Sequence, residues 1–189
     1  MSDSALPRET EVKFEVRDRQ DLESRLRALG AVSGPREFES NILLDDASSS
    51  VIAAGNILRI RETDGRGLVT LKGKRSIKDG VKTRIEIETG VDSASSLQAI
   101  LEMLGFRPGF RYEKYRTLWT FPEPTRPIVV LDETPMGLYA EIEGEEAAIR
   151  ALADELGVPA SAFIEESYPS LWALARRIEP SRPRDMVFS

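Results

Sequence analysis

The chain has 189 residues, a net charge of −6 from 26 Lys and Arg against 32 Asp and Glu, and neither Cys nor His. Those two absences exclude disulfides, thiolate or imidazole zinc sites, Cys nucleophiles and Ser-His-Asp triads, leaving carboxylates, Lys, Arg, Tyr, backbone groups and oxygen-bound metals for any chemistry. The acidic balance argues against nucleic acid, no apolar run approaches the ~18 residues of a membrane span, and the expectation is a cytoplasmic protein.

Residues 1–8 read as a flexible lead without a signal-type apolar stretch. From Glu9 to Arg17, Thr10, Val12, Phe14 and Val16 alternate with Glu9, Glu11, Lys13 and Glu15. That alternation predicts a strand with one apolar and one charged face. Asp18 to Gly30 reads as a helix with Leu22, Leu26 and Leu29 as its stripe and Gly30 at its C-cap. An extended segment follows over residues 36–45, then a turn or short helix over 48–55. Strands over 56–62 and 67–74 pair across the Asp64-Gly65 turn, and another runs over 81–91 after Asp79-Gly80. Residues 93–105 form a helix whose apolar face holds Leu97, Ile100, Leu101 and Leu104. A long strand over 110–121 precedes a hairpin of 128–133 with 138–143. Residues 145–156 are a helix, 160–165 and 169–177 are short helices with Leu171 and Trp172 in the core, and 179–189 read as a disordered tail. The expected organisation is one domain over residues 9–178, α+β, with antiparallel strands and helices inserted between them.

The polar faces of these strands are charged. Glu9, Glu11 and Lys13 share one side of their strand; so do Arg59 and Arg61, then Thr70, Lys72 and Lys74, then Lys82, Arg84, Glu86 and Glu88, then Lys114 and Arg116, then Glu141 and Glu143. Residues two apart on a strand lie about 6–7 Å apart on one side, so these are rows of charge. A sheet with one solvated face is the plain alternative. Yet Lys and Glu are poor strand formers, and the habit recurs from strand to strand. If the sheet closes, the charged faces turn inward and Val12, Phe14, Ile85, Ile87, Tyr115, Trp119 and Phe121 pack outside under the helices.

These residues resemble a known family. Glu9-Thr10-Glu11-Val12-Lys13 matches the ExExK signature of the CYTH family, the triphosphate tunnel metalloenzymes, which includes class IV adenylate cyclases and thiamine triphosphatases. Gly55-Asn56-Ile57-Leu58-Arg59-Ile60-Arg61, Thr70-Leu71-Lys72-Gly73, Arg84-Ile85-Glu86-Ile87-Glu88, Lys114-Tyr115-Arg116, Leu131-Asp132-Glu133 and Leu138 to Gly144 look like its later motifs in their order, and Ser167-Tyr168 before the last helix also fits.

The resemblance implies a closed eight-stranded antiparallel β-barrel with helices outside, a bound Mg²⁺ or Mn²⁺ and a triphosphate substrate. It implies phosphate ligands at Lys13, Arg59, Arg61, Lys72, Arg84, Lys114 and Arg116, and catalytic roles for Glu9, Glu11 and Lys13. The metal side would hold Glu9, Glu11, Glu86, Glu88, Asp132, Glu141 and Glu143. The implied activity is hydrolysis of tripolyphosphate, thiamine triphosphate or a nucleoside triphosphate by a monomer or homodimer. Formation of cyclic AMP and pyrophosphate from ATP, or triphosphate binding without turnover, are the alternatives.

Overall fold

The computed structural model describes residues 6–189; residues 1–5 of the expected lead lie outside the described residues. The strands are β1 (Arg8–Glu15), β2 (Val32–Asp46), β3 (Ile57–Thr63), β4 (Arg66–Lys72), β5 (Ser76–Lys78), β6 (Val81–Val91), β7 (Phe106–Thr120), β8 (Ile128–Thr134) and β9 (Gly137–Glu143). The helices are α1 (Arg19–Ala28), α2 (Ser50–Ala53), α3 (Ala94–Met103), α4 (Glu146–Glu155) and α5 (Tyr168–Ile178). All nine strands join one sheet in the order β1-β9-β8-β7-β2-β3-β4-β6-β5. A further antiparallel pairing of β1 with β6 closes the first eight into a barrel and leaves β5 as a short strand on β6.

The seam that closes the ring is chosen by charge as well as by backbone pairing. Glu9 stands opposite Arg84 and Glu11 opposite Lys82. Glu9 Oε2 lies 3.0 Å from Arg84 Nε, and Glu11 Oε1 lies 2.7 Å from Lys82 Nζ. Slipping the register by one would turn each of these charges to the outer wall.

The main apolar core lies outside the barrel. Strand alternation that points Glu9, Glu11 and Lys13 inward points Val12 and Phe14 outward. There they join Trp119, Val129, Leu131 and Ile142 from neighbouring strands, Leu22 and Leu26 of α1, and Ile149 and Leu152 of α4. Asp18 caps α1, its Oδ1 accepting from the backbone N–H of Gln20 and Asp21. Gly30, at φ 87°, lets the chain leave the helix in a conformation costly for residues with a Cβ.

Four expectations are corrected. Arg8 already belongs to β1, and Pro7 just before it is tied to β6, its carbonyl accepting from Glu86 N–H at 3.0 Å. α3 rests against β3, β4 and β7 but fully buries none of its side chains. Ile100 is 55% and Leu104 70% exposed, because only the Leu97 and Leu101 side turns toward the wall. Ile87, expected under a helix, is 41% exposed beyond the reach of that cover. Residues 179–189, expected without structure, are packed: Met186 is wholly buried with Tyr112, Tyr139, Tyr168 and Trp172. Its N–H donates to the Arg111 carbonyl at 3.0 Å and its carbonyl accepts from Glu113 at 2.8 Å. Trp172 Nε1–H donates to the Pro183 carbonyl at 3.1 Å.

This last cluster ties the tail to α5 and to β7, and so makes a prediction. Met186→Ala should lower stability by about 2–5 kcal/mol, the range for truncating a fully buried Met. Urea unfolding checks it; an unchanged midpoint would mean that the tail is not part of the cooperative fold.

Candidate functional site

The bore of the barrel holds a cavity of about 190 Å³. Its walls carry Glu9, Glu11 and Lys13 of β1, Arg59 and Arg61 of β3, and Lys72 of β4. Lys82, Arg84, Glu86 and Glu88 of β6, Lys114 and Arg116 of β7, and Glu141 and Glu143 of β9 complete the ring, with Arg75 near one mouth. Nine cations thus face six carboxylates, an excess of three positive charges inside a chain whose net charge is −6. Strand alternation brings all of these except Arg75 together from six strands.

The two signs are unevenly spread. Ligand oxygens of Glu9, Glu11 and Glu143 all lie within 4.8 Å of one another. Burial pushes the Glu143 carboxyl up to about 7; the charges of Glu141, Glu9 and Glu11 add to that push and Arg116 opposes it. Three hard oxygen donors, one of them strained by like charge, suit a divalent cation, which would relieve that repulsion. Glu9 and Glu11 are each anchored by a base, Glu9 by Lys72 at 3.0 Å and Glu11 by Lys82.

Across the bore the bases stand in front of carboxylates. Asp132 is wholly buried. Its Oδ1 accepts from Arg116 Nε at 2.7 Å, and its Oδ2 accepts from Arg116 Nη2 at 2.7 Å, Lys114 Nζ at 2.9 Å and Tyr168 Oη–H at 2.8 Å. Burial would raise its pKa, but the charges of Arg116 and Lys114 hold it down to about 2. Glu141 is braced by Lys13 at 3.2 Å and Arg116 at 2.8 Å, and these cations hold it well below the usual range despite its burial. Arg59 donates to Thr70 Oγ1 at 3.0 Å. Arg61 is buried beside Arg59, and both effects push its pKa down. A bound anion would offset that crowding.

All the expected phosphate ligands line this cavity. Of the seven residues expected on the metal side, Glu9, Glu11 and Glu143 form the close cluster. Glu86, Glu88 and Glu141 line the cavity but are engaged by neighbours: Glu86 by Lys72, Glu88 by the Thr70 hydroxyl and Arg59, and Glu141 by Lys13 and Arg116. Asp132 is a correction. It does not line the cavity, and both its oxygens are spent on the cations in front of it. Sequence reasoning also missed Glu39, Asn41 and Tyr112, and it noted Tyr168 beside Ser167 without giving it a role. Glu39 and Asn41 have the inward parity of β2 but sit in a segment whose apolar neighbours hide the pattern. Tyr168 carries Lys13 Nζ 3.9 Å above its ring centroid.

The fold and its lining define a closed-barrel protein with a charged bore. The chain belongs to the CYTH family, whose domain matches residues 7–168. It is similar to a Methanocaldococcus jannaschii protein named as a candidate adenylate cyclase, with 28% identity over 135 residues, 71% of this chain and 75% of that one. Its fold is similar to that of a candidate adenylate cyclase from Vibrio parahaemolyticus: TM-score 0.76, 20% identity, 87% of this chain and 97% of the other. A Hippeastrum protein, described as a candidate adenylyl cyclase with dominant triphosphatase activity, has TM-score 0.69 and 18% identity, covering 88% of this chain and 96% of its own.

Asp132→Asn would leave Lys114 and Arg116 without their main counter-ion and should destabilise the fold by about 3–5 kcal/mol near neutral pH. The sign with pH follows from the depressed pKa. The Asp132 contribution is fully present above its ordinary value of 3.8 and is lost as pH falls through about 2. The stability gap between wild type and Asp132→Asn, read by urea unfolding, should therefore close over that interval. A gap that persists below it would exclude the ion pairing as its source.

Proposed function

We propose that this protein is a divalent-metal-dependent triphosphatase. The observation that carries the reading is the divided bore: an excess of cations along the walls and a tight trio of carboxylates at one side. A linear triphosphate with its metal ion is the small molecule whose charge pattern matches both. The cavity is smaller than the roughly 300–1,000 Å³ usual for drug-sized ligands, which favours a phosphate chain filling the bore with any organic group toward a mouth.

In this reading Arg59 and Arg61 present guanidinium forks that hold phosphate oxygens bidentately. Lys13, Lys72, Arg84, Lys114 and Arg116 take the remaining oxygens and stabilise the charge that develops as the terminal phosphorus is attacked. Glu9, Glu11 and Glu143 would hold Mg²⁺ or Mn²⁺, which when bound neutralises phosphate charge and makes water more acidic. The chain has no His, and in this reading one of the cavity glutamates is the group available to take the proton of the attacking water, unless bound metal alone makes that water acidic enough. Asp132 and Tyr168 keep Lys114 and Arg116 in place.

Adenylate cyclase is the second reading, favoured by the names of the M. jannaschii and V. parahaemolyticus proteins. Triphosphatase is favoured by the description of the Hippeastrum protein. Both chemistries need the same grip and differ in which phosphorus faces the nucleophile.

Incubation with tripolyphosphate, thiamine triphosphate and ATP, each with Mg²⁺ or Mn²⁺, should release inorganic phosphate from the terminal position. Cyclic AMP with pyrophosphate would establish the cyclase instead, and tight binding without turnover would leave a binding module. Glu9→Gln should nearly abolish turnover while the fold persists. Arg59→Ala should lose roughly 10- to 150-fold in kcat/KM, the worth of a charge-assisted hydrogen bond. That loss should be the same for tripolyphosphate and thiamine triphosphate; a loss confined to one would place Arg59 in an organic-group pocket.

A further inference from the structure

β2 contributes two buried polar side chains to the barrel interior, Glu39 and Asn41, and neither lines the cavity. Glu39 is 4% exposed. Its Oε1 lies 3.2 Å from Arg61 Nη1 and 3.9 Å from Arg116 Nε, and its Oε2 lies 3.5 Å from Lys114 Nζ. Oε2 accepts no hydrogen bond from any described residue. A carboxylate placed for structure has its oxygens saturated, as those of Asp132 are. Glu39 supplies charge with little geometry. Burial favours its neutral form, but Lys114, Arg116 and Arg61 outweigh burial and keep it ionised. All three of those cations line the cavity. Asn41 fixes the head group that Glu39 faces, its Oδ1 accepting from Arg61 Nε at 3.1 Å.

We propose that Glu39 is a counter-charge that limits how tightly the tunnel holds phosphate, and so a positioning residue for binding and release. The proposal rests on the triphosphate reading above. With the bore free of anion, Glu39 offsets part of the charge of Arg61, Lys114 and Arg116. With phosphate in front of those cations, Glu39 repels it from behind. Glu39→Gln keeps the shape and removes the charge. The anion-free protein then has less compensation for three buried cations and is destabilised. The anion-bound protein is harmed less, because phosphate oxygens compensate the same cations. By linkage, that difference appears as tighter anion binding. A unit charge ~8 Å from a phosphate, at an effective dielectric near 20, changes affinity on the order of 10-fold. Product phosphate is also held longer, so KM and kcat fall together.

Calorimetric titration with tripolyphosphate in excess chelator, where no turnover occurs, tests this. Glu39→Gln should bind about 10-fold more tightly than wild type. Glu39→Asp, which keeps the charge, should stay within about 3-fold of wild type. In steady-state assays with metal, Glu39→Gln should lower KM and kcat together, whereas a merely structural defect would weaken binding. Equal or weaker binding by Glu39→Gln overturns the proposal. Should Glu39→Gln fold poorly alone, its thermal midpoint in saturating tripolyphosphate decides: a larger upward shift than wild type supports the proposal, and an equal or smaller one overturns it. If wild type binds tripolyphosphate and Glu39→Gln binds no better, only the role of Glu39 fails. If wild type does not bind it, the triphosphate reading fails and this proposal with it.

Discussion

Charges buried in a closed bore must be answered by opposite charges within a few ångström, and most of this structure follows from that. Removing a charge from water costs several kcal/mol per ion unless it is well paired. The barrel meets that cost strand against strand, with Glu9 on Lys72 and Arg84, Glu11 on Lys82, Glu141 on Lys13 and Arg116, and Asp132 on Lys114 and Arg116. The pairing is incomplete by design of numbers: nine cations line the cavity against six carboxylates. Hydrophobic stabilisation has to come from elsewhere, and it does. Val12, Phe14, Trp119 and Ile142 turn outward to meet α1 and α4, so the oily core wraps the polar one.

That division was legible in the sequence because a strand offers only two faces. Once Glu9 and Glu11 are assigned inward, Val12 and Phe14 have no other place to go, and the same logic held for Arg59, Lys72, Arg84, Lys114 and Glu141. What alternation cannot tell is depth. Asp132 has inward parity, but the long side chains of Lys114 and Arg116 reach past its short one and cover it. Glu39 and Asn41 were hidden for a related reason. β2 runs fifteen residues, and its exposed first half and the unbroken Ile42-Leu43-Leu44 run in its second half blur the periodicity between them. The α3 face shows the converse limit: an amphipathic pattern announces a helix without announcing that anything covers its outer side. The packed tail depended on a single Met meeting a cluster of rings far away in sequence.

The functional consequence is a site that is strained in one particular way. Arg61 is crowded by Arg59, and Glu143 by Glu9, Glu11 and Glu141. Each crowding is relieved by a different guest, an anion in the first case and a cation in the second. The proposed guest, a polyphosphate bound together with a metal ion, would relieve both, and positioning with charge neutralisation is what phosphoryl transfer chiefly requires.

The most direct test of that account is the thermal midpoint of the wild-type protein with tripolyphosphate, with Mg²⁺, and with the two together. Ligands that bind only the folded state raise it in proportion to their free energy of binding. The account predicts that the pair raises the midpoint by more than the two separate shifts combined, because each ion removes repulsion that the other cannot. Shifts that merely add, or no shift with tripolyphosphate at all, would contradict it.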